Sequence, residues 1–179
     1  MRPTAVFLRA INVSGRRLLM DDFRRALAEA GYDGARTVAA AGNAVVMAPA
    51  AGAALEAQLE AALARALGAA IEVFVRDGSQ LAVLLAANPF ADFAAAEPGR
   101  MVAVLTRGDP TPEDVAALQA RIHGPERVAA GAGCLYAAYP DGQGVSKLTP
   151  VMIERALGLR GTARNWNTMR RMAELTASA

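Results

Sequence analysis

The chain has 179 residues, is 54% hydrophobic and 20% charged, and carries a formal net charge of +2, which places it among folded globular chains and outside the disordered class. No apolar run approaches the roughly 18 residues that cross a bilayer, and the stretch 4–8 is too short, and too soon followed by Arg9, to be a secretory core; a cytoplasmic protein without membrane association is expected. One cysteine, Cys134, and one histidine, His123, exclude an internal disulfide and a Cys/His zinc site.

In chain order, the short apolar run 4–10 reads as a buried strand, followed by a loop rich in Gly and Arg. Met20, Phe23, Leu27 and Ala30 then recur at helical spacing, with Asp21 and Asp22 in the first turn and Gly31 at the end. Residues 35–41 and 44–47 flank Gly42-Asn43, a hairpin signal. Leu55, Leu59, Leu63 and Leu67 form a second helical stripe, 71–76 is a strand, and 79–87 is a helix that Asn88-Pro89 stops. The segment 91–99 reads as a linker. Beyond it the order recurs: strand 101–106, a helix entered through Thr111-Pro112, strands 128–130 and 134–139 joined by Gly131-Ala132-Gly133, a helix entered through Thr149-Pro150, strand 162–164 and a closing helix 169–177. Two βαββαβ units predict an α+β fold of two ferredoxin-like plaits in tandem, each an antiparallel sheet with helices on one face. The expected boundaries are 1–93, a linker at 94–98, and 99–179.

Charge is unevenly distributed. Residues 1–25 carry a net +4, residues 144–172 a net +5, and the stretch between them −6. Two basic ends that met in the fold would form a positive zone. The chain uses 43 alanines, eighteen arginines and a single lysine, so its rarer polar residues stand out. All five asparagines (12, 43, 88, 165 and 167), Lys147 and the lone Trp166 fall in a few short motifs: 9–15, 41–43, 88–90, 146–149 and 164–168.

These motifs together resemble a bacterial family catalogued as domain of unknown function 1697. The resemblance rests on Arg9, Ile11, Asn12, Val13, Gly15, Gly42, Asn43, Asn88-Pro89-Phe90, Ser146-Lys147-Leu148-Thr149 and Arg164-Asn165-Trp166-Asn167-Thr168. Ala10, Ser14 and Ala41 depart from the pattern, and Ala41 removes the hydroxyl that the family carries at the hairpin. The resemblance implies two ferredoxin-like units and supplies no activity.

A lone lysine in an arginine-rich chain suits a position that needs a compact ammonium, and asparagine donates and accepts without charge. The residues expected to hold a ligand are therefore Arg9, Asn12, Asn43, Ser146, Lys147, Thr149, Arg164, Asn165 and Asn167, and the ligand expected is a phosphate-bearing small molecule or nucleotide. Each motif also has a plainer role. Gly42-Asn43 serves as a turn, Asn88 as a helix stop, Asn165 or Asn167 as a helix cap, Trp166 as a packed aromatic, and Cys134 as core.

Enzymatic chemistry is not expected. The motifs hold no acid–base pair, and adjacent Ser146 and Lys147 have no geometry that makes them a nucleophile pair. Neither a phosphate-binding glycine loop nor a metal or cofactor motif is present, so no cofactor is expected. RNA binding is an alternative through plait topology, with Phe7, Phe74, Tyr136 and Tyr139 as the strand aromatics that bases would stack on. A structural or protein-interaction module without a ligand is the third reading.

Overall fold

The computed structural model describes residues 1–9, 18–38 and 42–177. The chain divides into two compact units, Met1–Ala82 with Arg171–Ala179, and Val83–Arg170. The first contains β1 (Arg2–Leu8), α1 (Met20–Glu29), β2 (Arg36–Val38), β3 (Asn43–Ala48), α2 (Ala53–Leu67) and β4 (Val73–Asp77), in sheet order β2-β3-β1-β4 with every pairing antiparallel. α3 (Gly78–Ala86) and α4 (Ala91–Ala96) follow. The second contains β5 (Met101–Thr106), α5 (Pro112–Ala120), β6 (Arg127–Gly131), β7 (Cys134–Ala138), α6 (Pro150–Leu157) and β8 (Gly161–Asn165), in order β6-β7-β5-β8, again all antiparallel. α7 (Trp166–Thr176) closes the chain. The fold is α+β, two plaits in tandem.

Strand alternation sorts the side chains. In the first unit Val6, Leu8, Ala44, Val46, Val73 and Val75 face one way, against Phe23 and Leu27 of α1 and Leu55, Leu59 and Leu63 of α2. In the second, Val102, Val104, Leu135 and Ala137 pack with Val115 and Leu118 of α5 and Ile153 and Leu157 of α6. Each such Val, Leu or Ile side chain contributes roughly 1.5–3 kcal/mol by leaving water. The opposite sheet faces are also buried: Phe7 and Phe74 are 0% exposed and Tyr136 is 1% exposed.

The helices also satisfy the sheet edges, whose outer backbone groups would otherwise lie open. Glu56 and Glu60, one turn apart on α2, accept from the amides of Val75 (3.0 Å) and Val73 (2.8 Å) on edge strand β4. The match is geometric, since four helical residues and two strand residues each advance about 6 Å. In the second unit Gln119 of α5 accepts from Val128 N at 2.8 Å on edge β6, and Glu154 of α6 accepts from Gly161 N at 3.1 Å on edge β8.

Helix starts follow the expected chemistry. Thr111 and Thr149 accept from Asp114 N (3.1 Å) and Met152 N (3.2 Å), with proline at the first helical position. Asp77 and Gln80 form a reciprocal box at the start of α3: Asp77 Oδ1 accepts from Gln80 N and Gln80 Oε1 from Asp77 N, both at 2.9 Å. The Ser79 hydroxyl, the Gln80 amide and nearby Arg2 hold the Asp77 carboxyl below its ordinary range.

Two expectations differ from the structure, and a third falls partly outside the described residues. The stretch read as a linker contains helix α4 over Ala91–Ala96. The closing segment from Arg171 belongs to the first unit rather than the second. Strand β2 is described only as far as Val38, and positions 39–41 of the expected hairpin lie outside the described residues.

The return of the chain to the first unit creates one close approach. A methyl group built on Gly78 would overlap the backbone carbonyl of Thr176, whereas one on Gly99 meets nothing within 4 Å. Gly78→Ala is expected to lower stability by about 1–3 kcal/mol in urea denaturation followed by circular dichroism, and Gly99→Ala to stay within about 0.5 kcal/mol of the parent.

Candidate functional site

The second unit contains an open cleft of about 260 Å³ at one end of its sheet. Residues 121–126, the turn from α5 into β6, line one side; Asp141, residues 145–148 and Met152 line the other. The hairpin register explains why these meet. Arg127 pairs with Ala138, so the entrance to β6 and the exit from β7 emerge side by side.

The two walls are tied through Glu126. Its residue is 8% exposed, and a carboxylate buried to that degree needs donors. Ser146 Oγ donates to Glu126 Oε1. The same hydroxyl accepts from Leu148 N at 3.0 Å, which closes a tight turn around Lys147. Lys147 O accepts from Thr149 N at 3.0 Å, and Thr149 caps α6. Gln119 Nε2 donates to the Glu126 carbonyl at 3.1 Å and fixes the other wall.

Behind the cleft, Tyr139 is 2% exposed and its hydroxyl donates to Leu148 O at 3.3 Å. Burial pushes the Tyr139 phenol up to about 12; the nearby Glu126 charge adds to this and a hydrogen bond with Gln143 opposes it. Burial also pushes Tyr32 and Tyr136 above their ordinary value.

The charged groups of the cleft are of mixed sign. Lys147 is exposed, and its ammonium makes no hydrogen bond or ion pair with a described residue; the same holds for the exposed Arg121 guanidinium. Asp141 and His123 are exposed as well. No hydrogen bond joins Ser146 Oγ to Lys147 among the described residues, because the serine proton is directed to Glu126. Among the described residues, no group of three or more His, Cys, Asp or Glu side chains is placed to hold a metal ion.

Of the nine residues singled out in the sequence, Ser146 and Lys147 line the cleft, and Thr149 anchors it by capping α6. The others lie elsewhere. Arg9 forms an ion pair with Glu72 at 2.7 Å. Asn43 is 0% exposed, with its amide donating to Val38 O at 3.2 Å. Asn12 lies outside the described residues. Arg164, on edge strand β8, donates at 2.8 Å to Thr162 Oγ1 and to Ala163 O, and burial pulls its guanidinium down to about 10. Asn165 caps α7 by accepting from Thr168 N at 3.0 Å, and Asn167 is exposed on α7. Trp166 is a packed aromatic, 6% exposed and tilted against Tyr136 with ring centroids 6.4 Å apart.

The sequence reading missed Arg121, Glu126, Val145 and Met152 as cleft residues. Gly124-Pro125 marked the turn, and antiparallel pairing of the two strands after it placed that turn beside the 139–149 loop. The burial of Glu126 had no signature in periodicity.

The molecule is thus a tandem pair of plaits with a small mixed-charge cleft in the second. The chain belongs to the family described as Protein of unknown function (DUF1697), whose pattern matches residues 1–136. The match ends before the 146–149 and 164–168 motifs. A solved structure of a conserved bacterial protein from Streptococcus pneumoniae is similar, with a TM-score of 0.70 at 18% identity over 98% of each chain, a likeness of fold. No curated protein matches the chain, and among the described residues no helix is long and apolar enough to cross a membrane.

The raised tyrosines give a test of the packing behind the cleft. An unfolded tyrosine ionises near 10. Between about pH 10 and 12 the unfolded chain therefore releases protons that the native state keeps, and stability falls as pH rises through that window. In the native protein, phenolate absorbance is expected to rise at higher pH than in the unfolded chain, with one ionisation near 12 that is absent from Tyr139→Phe. An ordinary titration of that group near 10 would contradict the described packing.

Proposed function

We propose that the cleft of the second unit binds a small anionic ligand, with a phosphate-bearing metabolite as the class. The observation that carries this reading is Lys147: the chain's only lysine, exposed at the cleft and unpaired among the described residues, within a turn pinned at Ser146, Leu148 and Thr149. Because the turn is fixed, binding has only the lysine side chain to order, not the loop. Arg121 adds a second unpaired cation on the opposite wall. A compact ammonium suits a rounded phosphate oxygen surface, and arginine adds a planar fork.

Two features weigh against RNA as the ligand. The strand aromatics Phe7, Phe74, Tyr136 and Tyr139 are all buried, so none offers a face for stacking. Asp141 and Glu126 also line the cleft and would repel a run of backbone phosphates.

Binding is tested by nitrogen–proton correlation spectra recorded while phosphomonoesters are titrated in. At least one is expected to shift resonances confined to 121–126 and 141–152. Lys147→Ala should weaken that binding about fivefold or more, as loss of a partly exposed charge pair does, while exposed Lys147 can be replaced without harm to the fold. Unchanged affinity in the variant, or no response to any member, would refute the reading.

A further inference from the structure

The cleft walls restrict the ligand further. Five of the lining residues have apolar side chains: Ile122, Pro125, Val145, Leu148 and Met152. Ile122 and Met152 are half-buried against the core of the second unit, and Leu148 belongs to that core, so the apolar wall is a continuation of the hydrophobic interior. Val145 is different. It stands 75% exposed at the cleft, held there by a loop whose neighbouring residue Ser146 is tied to Glu126.

The charges impose a second restriction. One ammonium and one guanidinium face the cleft, with Asp141 and Glu126 beside them. The four charges sum to zero, so an anionic group gains only where it meets the two cations directly. A second or third would meet the two carboxylates, at a cost set by like-charge proximity. Size gives a third restriction, because about 260 Å³ is below the roughly 300–1,000 Å³ of pockets for drug-sized ligands.

We infer that the ligand carries a single anionic group on a short apolar body, aromatic or branched aliphatic, and is neither a polyphosphate nor a free inorganic ion. The anionic group meets Lys147 and Arg121, and the body covers Val145 and lies against Ile122, Leu148 and Met152. This rests on the anion-binding reading above and narrows it. An apolar body that removes roughly 55 Å² of apolar surface from water strengthens binding about tenfold.

The test compares inorganic phosphate, phenyl phosphate and ATP by the same resonance titration, in the parent, Lys147→Ala and Val145→Ser. Val145 is exposed, so its replacement leaves the fold intact. Phenyl phosphate is expected to bind about tenfold more tightly than inorganic phosphate. ATP should bind no more tightly than phenyl phosphate. Val145→Ser should weaken phenyl phosphate about threefold and leave inorganic phosphate unchanged, whereas Lys147→Ala should weaken both. Equal, Lys147-dependent binding of phosphate and phenyl phosphate would overturn the apolar-body inference and leave the anion reading standing. Tighter binding of ATP would overturn it too. Absence of Lys147-dependent binding for every probe would overturn both.

Discussion

A carboxylate buried against protein must be met by hydrogen-bond donors, and in the second unit that requirement organises the cleft. Glu126 sits at the point where the chain enters β6, 8% exposed. The Ser146 hydroxyl meets it across the cleft. That bond holds two connections together that the sheet register merely places side by side. It also leaves the serine oxygen to accept from Leu148 N, which fixes the turn that displays Lys147. Removing Ser146 would leave the buried Glu126 carboxylate with a missing bond.

The same economy recurs at three of the four sheet edges. Side chains of the covering helices reach down to edge strands: Glu56 and Glu60 to β4, Gln119 to β6, Glu154 to β8. These bonds satisfy amides that face away from the sheet and orient each helix over it, which blunts the edges against pairing with other chains. They recur in both units although the sequences of the halves barely match. The topology sets the need, and different residues supply it.

Much of the fold was legible because its signals are local. Proline at the first helical position after Thr111 and Thr149, the stripe of Met20, Phe23 and Leu27, and the alternation of the β-strands each constrain a few adjacent residues. The stretch 91–99 failed as a linker because its alanines, read as low complexity, are also strong helix formers. The site was legible only in part. Lys147 was marked by composition, since a chain that favours arginine kept one lysine, and Ser146 by the motif it shares with that lysine. Arg164 and Arg9 were marked by their motifs as well, yet Arg164 bonds along its own strand and Arg9 pairs with Glu72. Sequence spacing does not distinguish a cation that serves packing from one that faces a cleft. Glu126 escaped notice for the complementary reason, since its burial arises from a loop twenty residues away.

The bond between Glu126 and Ser146 ties the two walls of the cleft together. A double-mutant cycle with Glu126→Ala, Ser146→Ala and the combination, measured by urea denaturation, tests it most directly. The bond predicts a coupling energy of about 1 kcal/mol or more, because a hydroxyl donating to a buried carboxylate is among the stronger hydrogen bonds. Single effects that add to within about 0.3 kcal/mol would contradict it.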